Sequence, residues 1–141
     1  MINTVTVSIA VDAIAIPIKD ATGIGRAIEA IAREPNSALL FPGEITTIAH
    51  SELIVALAAE HRSAAIYTYS FWVARGGLMS YGIDPVDCAS YVDRLLRGER
   101  PADLPVQFPT EFELAINLKT AKALGLDVSP TLIAHADEVI D

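Results

Sequence analysis

Four aromatic side chains fall between residues 67 and 72: Tyr67, Tyr69, Phe71 and Trp72. The whole chain has only 4 Tyr, 4 Phe and 1 Trp, so this concentration is local. Rings can stack on a planar solute and exclude water from it. Ser70, inside the cluster, adds a hydroxyl that both donates and accepts. Tyr69, Ser70, Phe71 and Trp72 are therefore the first candidate ligand contacts. The opposing reading is that Tyr67 and Phe71 only fill the core. A second candidate is Pro42-Gly43-Glu44, where Glu44 could pair with a solute amine or remain a solvated loop carboxylate. Lys19, Asp20 and Thr22 form a third loop of the same kind.

Other chemistry-bearing patterns fall short. Thr22-Gly23-Ile24-Gly25 suggests a phosphate-binding turn, but the dinucleotide fingerprint needs glycine where Ile28 stands, and no Lys-Ser/Thr follows. Ser80 in Met79-Ser80-Tyr81-Gly82 mimics a nucleophile elbow, yet Leu78 occupies the position that requires glycine. His50, His61 and His135 are too separated for a local metal motif. The pairs Asp84/Asp87 and Glu111/Glu113 read as helix-start and strand-surface charges. Cys88, the single cysteine, sits on an apolar helix stripe without basic neighbours and reads as a structural thiol. The expectation is a protein without catalytic residues, metal or cofactor.

The elements that would position the aromatic cluster follow from hydrophobic period. Val5, Val7, Ile9 and Val11 alternate, then Ile14, Ile16 and Ile18, which predicts an N-terminal strand ending near Pro17. Ile24, Ala27, Ile28 and Ile31 form a helical stripe, capped by Asp20 or Thr22 and stopped by Pro35-Asn36. Ser37–Phe41 reads as a strand buried on both faces. One helix is expected from Thr46 or Thr47 to His61, a strand over Ala64–Tyr69, a short helix over Ser70–Arg75 and a strand over Leu78–Tyr81. Asp84-Pro85 starts a further helix with the stripe Cys88, Tyr91, Val92, Leu95 and Leu96. Pro101, Pro105 and Pro109 keep the next stretch extended. A strand over Phe112–Leu118, a short helix closed by Gly125 and a last helix from Ser129-Pro130 complete the chain. Strands and helices alternating over short links imply an α/β fold: a mostly parallel, Rossmann-like sheet of about five strands with helices on both sides. The candidate loops at 42–44 and 69–72 follow strands, so both would open on the carboxyl edge of that sheet.

A chain of 141 residues fits one domain, 1–141, and 52% hydrophobic residues supply a core. The net charge of −8 leaves no basic footprint for nucleic acid or an anionic membrane. No apolar run is long enough to span a bilayer, and the N-terminus lacks the pattern of a secretory signal. The expected location of the chain as given is the cytoplasm.

Six segments, in order, resemble one family: IAREPNSALL, HSELIVALAAEHRSAAIY, GGLMSYGID, YVDRLLRGERPADLPVQFPT, FELAINLKTAKALGL and AHADEVID. Together they are similar to the C-terminal part of ABC-transporter substrate-binding proteins of the tryptophan/tyrosine type, which are type I periplasmic binding proteins. The resemblance implies the second of two Rossmann-like lobes, noncatalytic binding of a small organic solute, and a membrane permease as partner when a first lobe is supplied. It also implies that residues 78–105 form a crossing arm whose usual partner is the first lobe. Leu78, Tyr81, Cys88, Tyr91, Val92, Leu95 and Leu96 would then seek a second copy in a homodimer, or fold back on their own sheet. The alternative expectation is a scaffold protein or decayed receptor fragment that dimerises through residues 78–98 and binds no ligand.

Overall fold

The computed structural model describes residues 11–83, 87–106, 108–109 and 111–141, apart from the side chains of Asp87 and Cys88. Among the described residues five strands form one sheet in the order β1-β2-β3-β4-β5. They are β1 (Ala38–Leu40), β2 (Ala64–Tyr67), β3 (Met79–Ile83), β4 (Phe112–Asn117) and β5 (Glu138–Ile140). β1, β2 and β3 are mutually parallel, β4 runs antiparallel to β3, and β5 is parallel to β4. The helices among the described residues are α1 (Ala21–Ala32), α2 (Ile45–Ala49), α3 (Ser51–Glu60), α4 (Ser70–Ala74), α5 (Asp87–Leu96), α6 (Leu118–Leu124) and α7 (Pro130–Ala134), with a 3-10 turn at Pro101–Asp103. The α/β, mostly parallel architecture is as the sequence pattern implies.

Local chemistry explains the helix starts. The Asp20 carboxylate accepts from the Gly23 N–H at 2.7 Å and caps α1. Asn117 caps α6 by accepting from Thr120 N, and Gly125 closes it at φ 76°. Ser129 caps α7 with Pro130 at the first helical position.

The main core cluster lies on one face of the sheet. Ile24 and Ile28 of α1, Ile54, Val55 and Ala58 of α3 and Trp72 of α4 pack together with Ala65 and Tyr67 of β2. Two crossovers in the same direction, from β1 to β2 to β3, place α3 and α4 on a single face, and α1 packs against them there. On the opposite face Leu40, Tyr81 and Phe112 remain exposed. Tyr81 and Phe112 stack there with ring centres 5.6 Å apart.

Several expectations are corrected. Residues 12–19 form no strand, and Ile14 is 75% exposed; the residues before 11 lie outside the described structure. Alternation permits a strand, but a strand also needs a partner, and Pro17 offers no N–H to one. The helix expected to run to His61 is two helices, interrupted at His50 (φ −109°, ψ 23°). β1 is not buried on both faces, since Leu40 is exposed on the side away from the helices. β3 is not an unpaired strand of a crossing arm. It is the central strand, bonded to β2 on one side and to β4 over Met79–Ile83 on the other. β5 was not expected at all.

Candidate functional site

The carboxyl ends of β1, β2 and β3 lie on one edge of the sheet because these strands are parallel. The antiparallel β4 brings its first residue, Phe112, to the same edge opposite Ile83. The two candidate loops therefore meet here. The chain leaves β1 through Phe41, Pro42, Gly43 and Glu44, and leaves β2 through Thr68 and Tyr69 into α4.

The contact between the loops is tight. A Cβ added to Gly43 would stand 3.0 Å from Cε2 and Oη of Tyr69. Real Cβ atoms rarely come so close, so glycine at 43 lets the Tyr69 ring lie against the loop backbone. The Thr68 hydroxyl donates to Phe41 O at 3.1 Å and ties the same loops together. Thr47 fixes the first loop. Its buried hydroxyl lies 2.8 Å from Pro42 O and accepts from Glu44 N at 3.2 Å. Gly82 completes the edge. A Cβ there would fall 2.0 Å from Thr68 O, so only glycine allows β3 to pass the loop leaving β2.

The aromatic cluster is one continuous stack, joined where Phe71 lies 5.6 Å from Trp72, and its two ends differ in exposure. Tyr69 is half-buried and Phe71 is 37% exposed, with ring centres 5.9 Å apart and nearly parallel. These rings and the half-buried Ser70 face the edge region. Trp72 is 1% exposed and belongs to the core. Its ring stacks on Tyr67 at 4.7 Å, and Phe41 lies 6.4 Å away on the same stack. The expectation of Trp72 as a ligand contact is thus corrected: at 1% exposure, its ring is enclosed by Phe41, Tyr67 and Phe71. Burial pushes the Tyr67 phenol up to about 12.

Arg75 was missed by the sequence reading. Its guanidinium lies 5.2 Å from the centre of the Phe71 ring, and Nη1 donates to the buried Ser51 hydroxyl at 2.7 Å. The Phe71/Arg75 spacing of four residues was the available signal. Glu44 stays exposed on the first loop. Asp20 is committed to its helix cap, and Thr22 to Gly25 lie in the first turns of α1. Ser80 is buried on the helix-covered face and its hydroxyl has no hydrogen-bond partner, so it cannot act as a nucleophile on a solute. Among the described residues no three His, Cys, Asp or Glu converge as metal ligands, and no helix is long and apolar enough to cross a membrane.

The predicted interface residues also divide. Leu78 is buried at 8% exposure and serves the domain's own interior, which corrects its assignment to an interface. Tyr81, Val92, Leu95 and Leu96 are exposed at 59%, 53%, 40% and 83%. Tyr91 is half-buried and its hydroxyl donates to Pro105 O at 2.7 Å. The Cys88 side chain lies outside the described residues. Among the described residues of the α5 stripe, Val92, Leu95 and Leu96 are therefore not covered by the sheet. Ion pairs Arg94–Glu99, Arg97–Asp93 and Arg100–Asp103 surround it.

One further concavity, of about 410 Å³, is lined by Leu118, Ala121, Lys122, Leu126 and Ile133. It lies beyond the carboxyl end of β4, at the opposite end of the sheet from the aromatic edge.

The chain belongs to the ABC transporter substrate binding protein family, whose model matches residues 5–140. Its fold is similar to a conserved domain protein from Vibrio cholerae (TM-score 0.79, 22% identity, 97% of this chain and 47% of that one). It is also similar to an ABC domain from Streptococcus pneumonia in complex with L-Trp (TM-score 0.81, 20% identity, 97% and 49%). A third similar structure is the ligand-free, open form of a substrate binding protein with adhesive properties from Clostridium difficile (TM-score 0.67, 17% identity, 99% and 48%). The chain spans about half the length of each. Comparison with curated protein sequences found no match.

Proposed function

We propose that this chain binds a flat, aromatic organic solute without chemical change, and that the edge formed by Pro42–Glu44 and Tyr69–Phe71 is one wall of the binding cleft. The observation that carries this reading is the Tyr69–Phe71 ring pair, held at the carboxyl edge by the Gly43 backbone and left partly exposed. Membership of a substrate-binding family and a structural neighbour whose ligand is L-Trp support it. The reading includes the tryptophan/tyrosine type, a correspondence to the second lobe of a type I receptor, and an ABC permease as partner when the complementary lobe is present. One wall buries less of a ligand than a closed cleft, so affinity of the isolated chain should be weak. Calorimetric titration of the intact chain with indole tests the reading. Binding that Phe71→Ala weakens about tenfold, the scale of one lost aromatic contact, supports it. Equal binding by both proteins, or none by either, removes it.

The second reading, a scaffold that associates through residues 78–98 and takes no solute, is favoured by the exposed stripe Val92, Leu95 and Leu96. Contiguous apolar side chains on an amphipathic helix mark association surfaces. Homodimerisation through this stripe is compatible with both readings, so the solute titration discriminates between them.

A further inference from the structure

We propose that Arg75 gives the aromatic edge a preference for solutes that carry a carboxylate. The inference rests on the solute-binding reading above and adds the ligand's charge to it.

Phe71 and Arg75 stand four residues apart at the end of α4, so their side chains share one face. The guanidinium is fixed at two points: over the Phe71 ring at 5.2 Å, and on the Ser51 hydroxyl at 2.7 Å. Ser51 is itself 4% exposed, so this anchor is rigid. Neither partner carries charge. Among the described residues no carboxylate lies within ion-pair distance of Arg75; Arg33, Arg94, Arg97 and Arg100 are each paired, Arg26 and Arg62 are not, and of these three Arg75 is the one held against the aromatic edge. An uncompensated guanidinium is thus held beside exposed aromatic rings in a chain of net charge −8.

The geometry suits an anionic aromatic acid. From Arg75 the rings run to Phe71, then to Tyr69 5.9 Å further on, then to the Gly43 backbone. A flat solute lying along these rings brings a carboxylate on a short side chain to the guanidinium. Arginine has five N–H donors, and Ser51 uses one. The remaining donors form the planar fork that accepts a carboxylate through two hydrogen bonds. A neutral solute gains only the rings, and a cationic one is repelled.

Calorimetry of the intact chain with indole-3-acetate, indole and tryptamine tests the inference. The expected result is affinity for indole-3-acetate about tenfold or more above indole, the scale of one charged hydrogen bond, with tryptamine weakest. The preference should shrink as salt is added. In Arg75→Ala the affinity ratio of indole-3-acetate to indole should fall to about one, and in Arg75→Lys it should stay intermediate. Arg75→Gln, which keeps the length and the neutral contacts, should match the alanine variant and covers the case where alanine impairs folding. Indole binding without charge preference, or an equal loss of all three ligands in the variants, overturns the inference and leaves the aromatic reading standing. Absence of binding by all three probes overturns both.

Discussion

Residues 67–72 and residues 87–96 both offer apolar side chains but use them in opposite ways. The first holds four aromatic rings and no charge, the second an apolar stripe on a helix that also carries Asp87, Asp93 and Arg94. In the first, the chain turns at Tyr69, and the short helix α4 sends Trp72 inward while Phe71 stays at the surface. In the second, a ten-residue helix exposes Val92, Leu95 and Leu96 and leaves its charges in surface ion pairs. The lesson is that an apolar cluster becomes core only where neighbouring elements are close enough to close over it. α4 has β2, β3 and β4 beside it. The helix α5 stands apart, with the 101–109 stretch reaching it through Tyr91 and Pro105.

Three substitutions separate these regions. Trp72→Ala should have the largest effect. It removes a fully buried ring that stacks on Phe41, Tyr67 and Phe71 and should cost about 3–5 kcal/mol in denaturant unfolding. A loss below about 1 kcal/mol would mean that Trp72 is not core. The next effect is on pH dependence. The Tyr67 phenol ionises near 10.0 in the unfolded chain and near 12 in the folded one, because burial disfavours its charge. Stability is therefore complete below pH 10 and lost as pH rises towards 12, by on the order of 2–3 kcal/mol. Tyr67→Phe should flatten that alkaline decline, and an unchanged decline would place its origin elsewhere. Leu96→Glu should have the smallest effect on folding, within about 0.5 kcal/mol. Sedimentation should show weaker self-association for this variant than for the wild-type chain. Severe destabilisation would mean that the stripe is covered within one molecule.

Much of this arrangement was legible in the sequence. The runs Ser37–Phe41, Ala64–Tyr69 and Phe112–Leu118 each contain an observed strand, because β-branched, aromatic and other apolar residues between turn signals need no distant information. Among the described residues five strands are seen, yet residues 12–19 of the expected N-terminal strand form none and β5 has no counterpart in the sequence pattern. The alternation at Ile14, Ile16 and Ile18 lacked a partner, whereas Glu138–Ile140 is a strand because β4 offers an edge to it. Pairing of this kind is decided by distant residues. The segments 42–44 and 69–72 follow β1 and β2, and parallel strands bring both to one edge of the sheet. Three details were not legible. The phase of a one-turn helix put Trp72 under the site. The break at His50 brought Ser51 to Arg75. The central position of β3 depended on β4 pairing with it in antiparallel register.

The most direct measurement is the indole titration of the intact chain followed through backbone amide chemical shifts. The account predicts saturable shifts concentrated at Gly43, Glu44, Thr68, Tyr69, Ser70 and Phe71. Shifts confined to the 118–133 concavity, or none at any residue in a folded sample, would contradict it.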